Sequence, residues 1–209
     1  MKAQAVLFLC ISLALASSPM KGVDVSQRTD VFSCIHGKGY KFAIVRGFQS
    51  SGYVDPNVVT NIDNAINAGM SFADVYLFPC VPCNNPKTQA QKLVDSIKGK
   101  NYKRIWVDIE KYHWHSDKSQ NQQFITDMVN ELKDLGQSVG IYTSYYNWES
   151  ITGLDWKGVS DLPLWYPHYD NNPSFSDFKS FGGWTKPTMK QYGGNKELCN
   201  AGVDLDWES

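Results

Sequence analysis

Ile105-Trp106-Val107-Asp108-Ile109-Glu110 is an apolar, β-branched run that closes on two carboxylates two residues apart. Alternate residues of a strand share a face. Trp106, Asp108 and Glu110 therefore point one way, and Ile105, Val107 and Ile109 the other. Two acids held together at a strand end, roughly 6 to 7 Å apart at their Cα atoms, raise each other's pKa, so one of them can stay protonated near neutrality. A general acid is made from glutamate in this way. An ordinary strand terminus with two solvated acids would carry the same residues, so the rest of the chain has to decide.

Seven further runs have strand character: 23–26, 42–46, 73–78, 139–143, 162–166, 188–192 and 202–206. With 104–110 they make about eight strands. Three amphipathic helices lie between the early ones. The first is expected over 56–68, with Asp55 as N-cap, Pro56 at its first position, Val58, Val59, Ile62 and Ile66 inward, and Gly69 as the stop. The second covers about 87–98, with Leu93, Val94 and Ile97 inward and Gly99 closing it. The third covers about 118–135, with Phe124, Ile125, Met128, Val129, Leu132 and Leu135 inward before Gly136. After Gly140 the helical pattern fades, and strands follow one another through loops rich in Gly, Pro, Asn and Trp. A regular eight-fold β/α barrel needs about 250 residues, more than the 209 present. The expected class is α/β: an irregular, helix-poor, TIM-like β/α barrel, one domain over 17–209.

Lys2 and the apolar run 5–16, ending in small residues, read as a secretory signal peptide cut near 16–18. A buried first strand or helix is the rival reading. Removal of that segment takes Cys10 with it and leaves Cys34, Cys80, Cys83 and Cys199. In an exported chain these suggest two disulfides with three possible connectivities. The expected location is outside the cell or in the lumen of a lysosome- or phagosome-like vesicle. A content of 42% apolar and 13% aromatic residues rules out a disordered chain. A formal charge of −1 and the lack of a basic run argue against a nucleic-acid partner. No membrane partner is expected, and a monomer is.

In a parallel β/α barrel the active site gathers at the carboxyl ends of the strands. Asp24 lies in the first predicted strand, Asp108 and Glu110 end the fourth, and Asp204 with Asp206 lies in the last, beside the first. Each alone reads as a turn or cap residue; together they form a carboxylate cluster at one barrel mouth. Tyr76, Trp106, Tyr142, Trp165, Tyr166, Gln191 and Tyr192 fall in or near strand ends. Aromatic faces pack on the C–H faces of sugars while amides take hydroxyls, so part of this set suits a glycan groove. The remainder are core aromatics.

His113 and His115 form a pair without a third ligand at a persuasive spacing, so no metal is expected. Cys80-Val81-Pro82-Cys83 has redox spacing, but export and the absence of an immediately following helix favour a structural bond. No glycine-rich phosphate loop and no Gly-x-Ser-x-Gly elbow occurs, which disfavours phosphoryl transfer and serine hydrolysis. No cofactor is called for.

The chain resembles the family 25 glycoside hydrolases, the Chalaropsis-type lysozymes, and most closely the branch of amoebae and nematodes. The resemblance rests on Gly22-Val23-Asp24-Val25-Ser26, Phe42-Ala43-Ile44-Val45-Arg46 with Tyr53-Val54-Asp55-Pro56, Val107-Asp108-Ile109-Glu110, Gly140-Ile141-Tyr142-Thr143-Ser144, Pro163-Leu164-Trp165-Tyr166, and Lys190-Gln191-Tyr192 with Val203-Asp204-Leu205. It implies a muramidase acting on the β-1,4 bond between N-acetylmuramic acid and N-acetylglucosamine of bacterial peptidoglycan. By motif, Glu110 takes the general-acid position and Asp24, Asp108 and Asp204 the supporting carboxylate positions. Tyr76, Tyr142, Trp165 and Gln191 are the expected substrate contacts. The resemblance also suggests pairing Cys34 with Cys199 and Cys80 with Cys83. The family commonly has Asn where this chain has Asp206.

On these residues Glu110 is expected to be protonated beside an ionised Asp108, with Asp108 orienting the substrate's acetamido group as internal nucleophile. A carboxylate nucleophile, or an inverting water activated by Asp24 or Asp204, stays open. A chitinase-like hydrolase is the nearest rival enzyme, but its longer acidic signature would place Asp where Trp106 stands. A catalytically silent glycan-binding protein of the same fold is the rival from another class.

Overall fold

The computed structural model describes residues 18–209; the expected signal peptide lies outside them. All eight expected strands form, and they close on one another. In the order of the chain these are β1 (Met20–Val25), β2 (Phe42–Gln49), β4 (Phe72–Leu77), β5 (Ile105–Asp108), β6 (Val139–Tyr142), β7 (Leu164–Pro167), β8 (Met189–Leu198) and β9 (Ala201–Glu208). A two-residue β3 (Tyr53–Val54) hairpins onto β2. Strands β1, β2 and β4 to β8 run parallel around the barrel, whereas β9 is antiparallel to both β8 and β1 and seals it. The last strand therefore departs from the all-parallel pattern.

Period-two alternation divides the strand residues between two cores. Phe42, Ile44, Trp106, Tyr142, Trp165 and Met189 pack inside the barrel, while Ala43, Val45, Ile105, Val107, Ile109 and Ile141 face the helical layer. The interior is crowded: a Cβ on Gly140 would sit 2.4 Å from the Trp106 ring. Glycine at that position lets the indole lie across the neighbouring strand.

Among the described residues there are five α-helices: α1 (Phe32–Gly37), α2 (Val58–Asn67), α3 (Pro86–Ser96), α4 (Lys118–Asp134) and α5 (Tyr145–Ile151). Helices α2, α3 and α4 are the three read from periodicity, and Ile62, Leu93 and Ile125 on their inner faces are fully buried. The start of α2 differs from expectation. Asp55 Oδ1 accepts the Asn57 N–H at 2.9 Å, but the helix begins only at Val58. The other carboxylate oxygen is taken by Arg46 Nε at 2.7 Å and Gln49 Nε2 at 2.9 Å. Asp55 is thus anchored to the end of β2 rather than serving as a simple cap.

Helices α1 and α5 were not expected. They span six and seven residues, too short for a periodic stripe, and α5 is built from aromatic residues of middling helix propensity. Tertiary burial holds them: Phe32 and Ile35 on α1, and Trp148 and Ile151 on α5, are buried. Ser144 caps α5 by accepting the Asn147 N–H at 3.1 Å. No helix joins β7 to β8, in keeping with the helix-poor reading.

Both disulfides pair as the resemblance implied. Cys34 in α1 is joined to Cys199 in the β8–β9 turn, and Cys80 to Cys83 across a 3₁₀ turn. Helix α3 starts at Pro86, three residues after Cys83, so a helix does follow this pair closely.

Candidate active site

Strand pairing delivers the acids to one mouth. Asp24 is directly opposite Asp204 across β1 and β9, and Asp108 ends β5. The β5–β6 ladder runs one residue past the strand, where Ile109 N–H donates to Tyr142 O at 2.8 Å. Thr143 Oγ1 then donates to Ile109 O at 2.8 Å, and Trp114 Nε1 to Glu110 O at 2.6 Å. These bonds fix the backbone on both sides of Glu110. A cleft of about 240 Å³ results, lined by Asp24, Asp108, Glu110 and Asp204 with Tyr76, Tyr142, Trp165 and Gln191. Every residue named as catalytic or substrate-binding from the sequence lines this one cleft. A wider hollow of about 580 Å³ shares Asp24, Ser26, Tyr76 and Asp204 with it and runs along the β8–β9 hairpin past Asn195 and Lys196.

Gln191 is the hub. Its Nε2 donates to Asp24 Oδ2 at 2.7 Å and to Asp204 Oδ2 at 3.2 Å. Its Oε1 accepts from Tyr142 OH at 2.6 Å and Tyr169 OH at 2.9 Å. A single amide thereby holds carboxylates from the first and last strands against phenols from β6 and the β7–β8 loop. Asp204 also accepts the Asn195 N–H at 2.6 Å.

Burial governs the electrostatics. Among the described residues lining the smaller cleft, Arg46 is the one cation, and Asp55 pairs with it. Asp24 is pushed up to about 7, first by burial and then by the Asp204 charge, against the hydrogen bond from Gln191. Burial, and then Asp204, raise Glu110 above the usual carboxylate range. Asp108 goes well above that range through burial, then through Glu110 and Asp24. Its Oδ1 is buried with no hydrogen-bond partner among the described residues. The sequence reading had Asp108 ionised and Glu110 protonated. In the free protein depth reverses the order, because Asp108 is the more buried acid and lacks a donor that would favour its charge.

Phe78, Arg46, Ser26 and Tyr169 also line the cleft and escaped the sequence reading. Phe78, at the end of β4, could have been found by the strand-end rule used for Tyr76. Tyr169 sits in a loop with no periodic signal. Trp106, Tyr166 and Tyr192 are packed rather than cleft-lining: Trp106 is sealed in the barrel, its Nε1 on Asp74 at 2.8 Å. His113 and His115 are exposed on the loop after Glu110. Among the described residues the set with metal-like spacing is instead His168, Asp170 and Asp177. The ammonium of the fully buried Lys190 already occupies both of those carboxylates, at 2.8 and 2.7 Å, and this set lies apart from the cleft.

The family model described as Lysozyme-like protein 1 matches residues 16–192. Probable GH family 25 lysozyme 2 of Dictyostelium discoideum is 42% identical over 207 residues, 97% of either chain. The chain belongs to the family 25 lysozymes. Lysozyme-like protein 5 of Caenorhabditis elegans is 39% identical, covering 97% of this chain and 96% of its own. The solved family GH25 lysozyme from Aspergillus fumigatus shares the fold, with a TM-score of 0.78 at 23% identity over 92% of this chain and 94% of that one. The lysozyme is thus a glycoside hydrolase, and family membership sets aside the chitinase-like alternative.

Proposed function

We propose that this lysozyme cleaves the β-1,4 bond between N-acetylmuramic acid and N-acetylglucosamine in bacterial peptidoglycan, with Glu110 as proton donor. The observation that carries the reading is the convergence of four carboxyl groups from three strands on one aromatic-walled cleft. Glu110, raised by burial and by Asp204, holds its proton to higher pH than an ordinary carboxyl group and can pass it to the glycosidic oxygen as the C1–O bond breaks. The buried, partnerless Asp108 Oδ1 is a ready acceptor for an amide N–H. A 2-acetamido group bound there would be oriented so that its carbonyl oxygen attacks C1. Water then opens the cyclic intermediate, its proton returning to Glu110 and its oxygen going to C1, with retention. Asp204, tied to Asp24 through Gln191, places negative charge opposite the developing oxocarbenium ion. Tyr76, Tyr142 and Trp165 supply the apolar faces for sugar rings.

The reaction as proposed draws only on protons and carboxyl groups, so it calls for no cofactor, and on a monomer, since the cleft is complete within one chain. Two disulfides suit an oxidising compartment, which supports an exported protein, either secreted or held in an acidic vesicle. No helix among the described residues is long and apolar enough to cross a membrane. A turbidity assay on bacterial cell walls tests the function. Clearing by wild type, absent in Glu110→Gln, is the expected result. Retained wall binding without clearing by wild type would replace the enzyme by a silent glycan-binding protein.

A further inference from the structure

Asp206 is a carboxyl group beneath the cleft that the reaction above does not use. It lies on β9, opposite Gly22 of β1 and Gln191 of β8, and is fully buried. Its Oδ1 accepts from Trp165 Nε1 at 2.9 Å, while Oδ2 is buried with no partner among the described residues. The register pairs Asp24 with Asp204, so Asp24 and Asp206 are diagonal neighbours on the inner face of the barrel. Their carboxyl groups lie within hydrogen-bonding reach of each other. Two ionised carboxylates cannot satisfy one another; each has only acceptors to offer. An ionised Asp206 would leave Oδ2 orphaned beside a like charge. A protonated Asp206 turns the same oxygen into a donor and removes both problems.

We propose that Asp206 is a positioning residue: it stays a neutral carboxylic acid over the working pH range and donates its Oδ2 hydrogen to Asp24, favouring the ionised form of that group and aiming it into the cleft. Asp24 then receives two donors, Gln191 Nε2 and Asp206 Oδ2, from adjacent strands. The titratable groups facing Asp206 agree on the direction. Asp24 from β1 and Asp204 from β9 itself are both acids, and Tyr192 of β8 is a neutral phenol in electrostatic contact with it. Trp165 of β7 and Gln191 of β8 do not titrate. Asp206 is fully buried and its Oδ2 has no donor, whereas Asp24 reaches the cleft and already accepts from Gln191, so Asp206 is the member of the pair that keeps the proton. The protonation state stands independently of the muramidase reading; its benefit to the reaction rests on that reading.

The test is ¹³C NMR of aspartate carboxyl groups in the free protein between pH 4 and 8, on wild type, Asp206→Asn and Asp206→Leu. One signal is expected to hold its protonated shift to the top of this range and to vanish in Asp206→Asn, where those of Asp74 and Asp108 persist. The asparagine keeps an acceptor for Trp165 and a donor for Asp24, so the Asp24 midpoint should stay in place. Leucine offers no donor, and the Asp24 midpoint should climb by about one pH unit, the size of one charge-assisted hydrogen bond. In wall lysis the pH limits of Asp206→Asn should coincide with those of wild type. An Asp206 signal at the carboxylate shift from pH 5 upward would overturn the proposal. So would a fall in the Asp24 midpoint in Asp206→Asn, since that means a negative charge was removed. The asparagine arm decides the matter even if the leucine variant does not fold, and the NMR arm decides it even if no lysis is seen.

Discussion

Burying acids faster than nearby charges and hydrogen bonds compensate has a consequence for stability that can be worked out. Asp24 rises from its ordinary 3.8 to about 7, and Asp74 from 3.8 to about 6. Burial is the leading cause in both cases, and both side chains are nearly or fully excluded from water. A carboxyl whose folded-state pKa is raised binds its proton more tightly in the native protein than in the unfolded chain. Its contribution is therefore fully present below about pH 4 and is lost as pH rises through the folded value. At 1.36 kcal/mol per unit, Asp24 accounts for a loss on the order of 4 kcal/mol between pH 4 and 7.5, and Asp74 for about 3. Asp177, held down to about 2 chiefly by its hydrogen bonds to Lys190 and His168 in spite of partial burial, acts in the opposite sense, but only below pH 4. Urea unfolding at half-unit intervals from pH 4 to 8 should show stability falling across this window. In Asp24→Asn the fall should shrink by roughly the Asp24 share, because the amide has no proton to lose while its oxygen can still accept from Gln191. Stability that rises with pH between 4 and 7, or equal slopes for wild type and Asp24→Asn, would refute the reasoning.

Glu110→Gln should abolish wall lysis while the circular dichroism spectrum and melting temperature stay close to wild type; lysis at the normal rate would remove Glu110 from the acid role. For Asp108→Asn the rate should fall by orders of magnitude, while the alkaline limit of the pH–rate profile should stay in place, because a neutral Asp108 adds no charge beside Glu110, whose proton is held by burial and by Asp204. A limit that moves to lower pH, measured on a defined peptidoglycan fragment, would mean that Asp108 is ionised after all. Product anomers recorded by NMR on wild type should show initial retention, and an inverted first product would exclude the acetamido route. The disulfides should differ in weight: Cys34 and Cys199 are 165 residues apart, so in the chain-entropy model replacing both with alanine removes about 5 kcal/mol, against about 2 for the Cys80–Cys83 pair. Similar losses of denaturation midpoint in the two double variants would contradict that account.

The amino-acid sequence determined much of this lysozyme by itself. Alternation along 105–110 assigned Asp108 and Glu110 to one face, since the pleat has a period of two whatever surrounds it. Apolar spacing located α2, α3 and α4, and acids at strand ends pointed to the mouth. The four cysteines marked two cross-links, with the pairing supplied by resemblance. Depth and partnership were decided only by the tertiary structure. Periodicity tells which face a side chain takes but not how far it lies from water, so it could not show that Asp108 is more buried than Glu110, or that Asp206 sits below the cleft on Trp165. Gln191 looked like one groove residue among several until barrel closure brought β1, β6, β8 and β9 around its amide. Tyr169 reached that amide from a loop without any pattern. The proton distribution over these acids follows from solvation and from neighbours brought together across the chain, and both exist only once the barrel has closed.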